Sequence, residues 1–111
     1  MTVRERLHQI EMELLTGDPP PIRLRQMLMA LTSLHGFCLQ ERRRADKAYR
    51  EVYAGLLATE GKANRAKILA QSTKEFDDVE EADMQCKRAL TLIQSMKATL
   101  QSLNEEMRLA R

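Results

Sequence analysis

A heptad repeat in the C-terminal third of the chain constrains the fold more than any other feature. From Val79 to Ala110, ten apolar residues recur at alternating spacings of three and four. This spacing keeps an apolar stripe on one helix face and is typical of a left-handed coiled coil. We call the stripe the seam and expect it to join copies of the chain into a dimer or larger homo-oligomer. The expected oligomer seam comprises Val79, Ala82, Cys86, Ala89, Ile93, Met96, Leu100, Leu103 and Met107.

The composition agrees with a thin helical protein. The chain has 111 residues, which is enough for one domain. It has no Trp, two Tyr, two Phe, four Gly and three Pro. These are too few turn formers for a many-stranded β fold and too few aromatic side chains for a core built around them. We therefore predict one all-α domain over residues 1–111, an antiparallel helical hairpin or coiled coil with a short N-terminal helix.

Caps and helix breakers divide the chain into three predicted helices. Thr2 and Glu5 fit a capping box at the start of the first helix. Its apolar face comprises Val3, Leu7, Ile10 and Leu14. The prolines that begin at Pro19 form a stiff elbow, and Gly61 can take the positive φ of a turn after a helix. The predicted order is helix 2–15, elbow 16–21, helix 22–58, turn 59–62 and helix 63–110.

A fold-back at the predicted turn places blocks of opposite charge side by side. Residues 75–83 hold six acidic residues and no base, and the second helix carries a basic cluster. The basic cluster comprises Arg42, Arg43, Arg44, Lys47 and Arg50. We expect Cys38 to lie near Ala82, either within one chain or between two chains. Beyond about Leu100 the third helix outruns the second, so the first helix or a second subunit must cover its end.

The predicted turn and its flanks are net positive, and we call this region the basic tip. Residues 59–74 carry four bases against one acid, Glu60. Contacts from Lys and Arg to phosphates dominate affinity for nucleic acids. The tip is therefore either a nucleic-acid interface or an ordinary solvated surface, and Tyr49 and Tyr53 offer little for base stacking. The candidate nucleic-acid residues are Lys47, Arg50, Lys62, Arg65, Lys67 and Lys74.

The sequence offers little for metal binding or catalysis. His35 and Cys38 share a helix face, with Cys86 opposite across the hairpin, and zinc favours such ligands. Three ligands without a paired motif are more typical of buried small residues, although the fold-back also permits a disulfide between the cysteines. The sequence has no glycine-rich phosphate loop and no nucleophile motif. We expect no metal, no cofactor and no enzymatic activity.

An alanine- and leucine-rich pattern extends over residues 42–111. The residues that carry it are Ala45, Tyr49, Leu56, Leu57, Gly61, Arg65, Ala66, Ala82 and the run from Leu100 to Arg108. In this pattern the chain resembles small coiled-coil accessory proteins of tailed phages and prophages. The resemblance implies an accessory protein that handles DNA or a DNA-bound partner in replication or recombination. Tail-export chaperones and secretion-stalk hairpins share the pattern, and no functional residue is carried over from any of them.

These features predict a non-catalytic helical interaction protein or adaptor that self-associates by coiled-coil packing and binds a protein partner. The alternative is a phage-type accessory DNA-binding protein that uses the basic tip. The N-terminal residues lack the apolar core of a signal peptide, and the longest uncharged run is too short and too polar to span a bilayer. We therefore expect no membrane association and a cytoplasmic location, in the host cytoplasm if a phage encodes the chain.

Overall fold

The computed structural model describes residues 2–110 and is helical almost throughout that range. Met1 and Arg111, the ends of the predicted domain, lie outside the described residues. No β-strand occurs among the described residues, so the prediction of an all-α fold is confirmed. The helices are α1 (Val3–Thr16), α2 (Pro21–Glu60), α3 (Ala63–Ala70) and α4 (Lys74–Leu109).

The predicted count of three helices is wrong, because a break at residues 71–73 makes the count four within the described range. Side-chain and backbone hydrogen bonds both change at the break. The Ser72 hydroxyl donates to the Ile68 carbonyl at 3.2 Å, and the Thr73 hydroxyl donates to the Ala70 carbonyl at 2.6 Å. The Thr73 oxygen also accepts from the Phe76 amide at 3.4 Å, as an N-cap of α4 does. The Ser72 and Thr73 amides donate to the carbonyls three residues back, those of Leu69 and Ala70, at 3.1 and 3.2 Å, so the end of α3 tightens and the α-helical pattern stops.

The other helix ends follow from local chemistry. The Glu5 amide donates to the Thr2 hydroxyl at 3.2 Å, which caps α1 as predicted. Pro21 occupies the first position of α2, where a missing amide hydrogen costs nothing. After α2, Gly61 adopts a φ of 69°, and its amide donates to the Leu57 carbonyl at 2.9 Å. A residue with a side chain adopts that φ only with strain, so glycine suits this turn.

The described chain forms two compact units. The terminal unit contains the residues up to Gly36 and those from Lys87 onward, and the middle unit spans Phe37–Cys86. In the terminal unit, the apolar face of α1 packs against α2 and α4. The buried core of that unit comprises Leu7, Met27, Leu31, Leu34, Ala89, Ile93 and Met96. Val3, Ile10 and Leu14 pack against this core, so the predicted apolar face of α1 is confirmed.

Two ion pairs hold α1 in the terminal unit. The Arg23 guanidinium on α2 donates two hydrogen bonds to Glu13, at 2.7 and 2.9 Å. The Arg88 guanidinium on α4 donates to one oxygen of Glu11, at 2.7 and 3.1 Å. The hydrogen bond and charge of Arg23 hold the pKa of Glu13 below its usual 4.5. The pairs join α1 to both of its neighbours, but because they are partly exposed they contribute less to its position than the buried core does.

In the middle unit, contacts join the second half of α2 to the first turns of α4. Arg42 lies 3.6 Å from an Asp83 oxygen, and the rings of Tyr49 and Phe76 have centroids 5.6 Å apart. Earlier residues of α2 thus meet later residues of α4, the order that an antiparallel pair produces. The thiol of Cys38 interacts with that of Cys86, which the fold-back places opposite it across the hairpin.

Candidate interaction surfaces

The middle of the seam is covered by the chain itself. Ala89, Ile93 and Met96 are buried in the core of the terminal unit, where α1 and α2 surround them. Cys86 is buried in the middle unit, and Val79 and Ala82 are half-buried there. Periodicity identifies a helix face that must be covered, but it does not distinguish a partner subunit from another helix of the same chain.

The end of the seam is less covered. Leu100 and Leu103 are half-buried, and Met107 is 57% exposed. Leu109, beside the seam, is 79% exposed. Leu103 also borders a depression of the terminal unit with a mixed polar and apolar lining, which we call the end groove. The end groove is lined by Leu14, Leu15, the elbow residues Gly17 to Pro20, Pro21, Leu24, Ser95, Met96, Thr99 and Leu103.

The six candidate nucleic-acid residues all lie in the middle unit, and all are exposed. Arg65 pairs with Glu60, with the Nε and Oε2 atoms 3.0 Å apart. The Nε of Arg50 donates to the backbone carbonyl of Asp46 at 3.4 Å. Within residues 2–110, the other four have no carboxylate at ion-pair distance; they are Lys47, Lys62, Lys67 and Lys74.

Some of the bases of this unit line two separate shallow depressions, and Lys67 and Lys74 line neither of them. One follows α2, where Arg43, Lys47 and Arg50 recur at helical spacing beside Glu51 and Ala54. The second lies on α3 and combines bases with apolar side chains. It is lined by Lys62, Ala63, Asn64, Arg65, Ile68 and Leu69. The basic residues on either side of the turn are therefore not gathered into one site.

Sequence reasoning missed the apolar part of the α3 surface. Ala66 and Ala70 are fully buried and four residues apart, so they mark the face through which α3 packs. Ile68 lies between them in sequence, on the opposite side of the helix, and is 66% exposed. The spacing of the two alanines was the available signal, but residues 63–110 were treated as one helix with a single apolar face.

Few residues of the basic cluster form ion pairs with the acidic block at residues 75–83. Arg42 meets Asp83, as the fold-back predicts. Arg44 instead pairs within its own helix, with its Nη1 atom 3.0 Å from Glu41 Oε1. Arg43 and Lys47 have no ion pair among the described residues. Most of the basic cluster therefore faces solvent rather than the acidic block.

The cysteines form no site of evident reactivity. Both are buried and free, and no group of three metal-ligating side chains occurs among residues 2–110. Burial raises the pKa of Cys38 above its usual 9.0, and the neighbouring Cys86 thiol raises it further. Burial also raises the pKa of Cys86, an effect that the Arg42 charge opposes. Raised pKa values keep both groups as thiols, which are poor nucleophiles and poor metal ligands.

Neither the apolar character of the helices nor similarity to known proteins indicates a further class of function. In the described part of the chain, no helix is both long and apolar enough to cross a membrane. Comparison with family models, curated proteins and solved structures gives no match. The residues of the chain itself therefore carry the functional conclusion.

Proposed function

We propose that this chain is a non-catalytic helical interaction protein that self-associates through the end of α4 and binds a protein partner in the cytoplasm. The observation that carries the proposal is the incomplete cover of the seam after Met96. The chain buries Ala89, Ile93 and Met96 in the core of the terminal unit, whereas Leu100 and Leu103 are half-buried and Met107 stays exposed. An apolar stripe that continues beyond its intramolecular cover is typical of an association surface.

The end groove supplies a complementary surface for a second copy. It lies beside Leu103 and is lined by leucines and by the rigid prolines of the elbow. Apolar side chains from the last turns of another α4 can be buried there by coiled-coil packing. Proline-fixed backbone loses little conformational entropy on association, which favours such a contact.

Sedimentation equilibrium at micromolar concentration tests self-association. The test variant carries Leu103→Asp and Met107→Asp, which place two charges in the proposed interface. We expect the unaltered chain to sediment as a dimer or larger oligomer and the variant to sediment as a monomer. Met29→Asp, on an exposed part of α2, is the matched control and should leave the oligomer intact. A monomeric unaltered chain would refute self-association.

A second candidate function, from another class, is a phage-type accessory DNA-binding protein active in replication or recombination. It is favoured by the exposed lysines of the basic tip, Lys62, Lys67 and Lys74, which have no carboxylate partner in the described range. Each such base can neutralise a phosphate and release a counterion.

An electrophoretic shift of duplex DNA at low salt tests this second candidate. The logarithm of the association constant should fall by about 0.9 per contacted phosphate for each unit rise in the logarithm of salt concentration. Lys62→Glu with Lys67→Glu should abolish the shift, and Lys97→Glu on α4 should preserve it. Absence of any shift at low salt would refute DNA binding.

A further inference from the structure

The outward face of α3 combines exposed apolar side chains with basic side chains, and these do not take part in the packing of the helix. Ala66 and Ala70 anchor α3 in the middle unit and are fully buried. Ile68 lies on the opposite face and is largely exposed, and Leu69 lies on the flank between the two faces and is partly exposed. Lys62 and Arg65 line the same shallow depression as these two apolar residues.

The arrangement matches the anatomy of a small protein interface. Such interfaces have an apolar centre that becomes buried and a polar rim that stays partly solvated, and arginine is enriched in them. Here Ile68 and Leu69 provide the centre, and Lys62 and Arg65 provide the rim. Ile68 and Leu69 are adjacent in sequence, and bases flank them on a helix that packs through Ala66 and Ala70.

The positive charge around the outward face of α3 indicates which kind of ligand this face can bind. Residues 59–74 carry a net charge of +3, and the only carboxylate paired with these bases within the described range is Glu60, which meets Arg65. This charge favours an anionic ligand. A phosphate backbone would neutralise the bases but leave Ile68 in water, whereas acidic side chains around an apolar anchor would satisfy both parts of the surface.

We propose that the outward face of α3 binds an acidic amphipathic segment of a protein partner. Apolar residues of the segment cover Ile68 and Leu69, and its carboxylates pair with Lys62 and Arg65. The inference rests on the proposed function, because it names the surface and the chemistry by which the chain holds its protein partner. It uses the middle unit, whereas self-association uses the terminal unit.

Fluorescence anisotropy with a synthetic probe tests the proposal. The probe is a labelled Glu-rich peptide with leucines at every third and fourth position, and its comparator has serine in place of each leucine. We expect the full chain to bind the probe more tightly than the comparator. Ile68→Ser should weaken probe binding about tenfold, because the cover of one large apolar side chain is lost. Lys62→Glu with Arg65→Glu should abolish it.

Matched variants test whether any loss of probe binding is specific to the outward face of α3 or follows from removal of any exposed apolar side chain or charge. Met29→Ser removes an equally exposed apolar side chain from α2, and Lys97→Glu reverses a charge on α4; both should bind the probe as the unaltered chain does. Equal binding of probe and comparator, or no effect of Ile68→Ser, would overturn the proposal. So would duplex DNA that binds the unaltered chain and the Ile68→Ser variant alike while it displaces the probe.

Different results would refute self-association through the end of α4 and peptide binding by the outward face of α3. The Leu103→Asp, Met107→Asp variant should still bind the probe if α3 acts as proposed, even as a monomer. Loss of probe binding in that variant would overturn the assignment to α3. An oligomeric unaltered chain that does not bind the probe would refute the α3 surface and leave self-association standing.

Discussion

Truncation of Leu7 measures how much the packing of α1 contributes to the fold. Leu7 has 0% of its surface exposed and lies in the core of the terminal unit with residues of α2 and α4. Leu7→Ala removes three carbon atoms from this core. At about 0.8 kcal/mol for each buried CH₂, the lost transfer free energy is about 2.4 kcal/mol.

The cavity left behind adds to that loss. Fully buried Leu→Ala changes cost about 2.7–5 kcal/mol in total, depending on how far the surroundings relax. A domain is stabilised by about 5–15 kcal/mol, so Leu7→Ala should remove a large share of the stability. The matched control is Met29→Ala on α2, whose side chain is 73% exposed, and this change should cost no more than about 0.5 kcal/mol.

Urea unfolding followed by helical circular dichroism is the assay. We expect the Leu7→Ala midpoint to fall well below that of the control at an unchanged m value, which indicates a change of stability rather than of compactness. If Leu7→Ala unfolds at the same urea concentration as Met29→Ala, α1 does not pack on α2 and α4 in solution. The cover of the middle of the seam would then have to come from elsewhere.

Three further predictions concern single residues. Gly61→Ala should lower the free energy of unfolding by about 1–2 kcal/mol because of the positive φ at this position, whereas Gly55→Ala, inside α2, should raise it by about 0.5–1 kcal/mol. Neither new methyl group meets an atom within 4 Å. Equal stabilities of the two variants in urea would contradict this reasoning. The Arg23 guanidinium lowers the pKa of Glu13 below 4.5, so the stability from this pair is present above that pH and is lost as the pH falls through the folded-state pKa. The melting temperature of Glu13→Gln should therefore lie below that of the unaltered chain at neutral pH and approach it in acid; a gap that persists in acid would contradict the assignment. Because burial raises the pKa of Cys38 above 9.0, its maleimide labelling, read by mass spectrometry, should be slow in the folded chain at neutral pH and fast in urea, and equal rates would refute the burial.

The sequence predicted helix ends correctly where a single residue type determines the local backbone conformation. Thr2 caps α1 as expected, and Gly61 takes the positive φ that its position demands. The break before α4 was missed because its signal is weaker. Thr73 caps the start of α4, but threonine hydroxyls also bond to backbone carbonyls inside continuous helices, as that of Thr32 does, so the residue type alone does not locate the break.

The surfaces were harder to predict than the helices. The seam residue Ile93 had to be covered, but periodicity alone left both the chain and a second subunit as the cover; in the structure α1 and α2 supply it. Positive charge near Lys62 was evident from sequence, whereas the exposure of Ile68 depends on which face of α3 is buried. Both results depend on tertiary packing, which a single sequence specifies only indirectly.

Hydrogen exchange as a function of protein concentration tests self-association at the end of α4 most directly. Amides in the last turns of a helix open by local unfolding, and association that involves those turns must slow their exchange. We predict that exchange over residues 100–109 slows as the concentration rises through the micromolar range, while exchange in α3 stays constant. Exchange over residues 100–109 that is the same at every concentration would contradict the account.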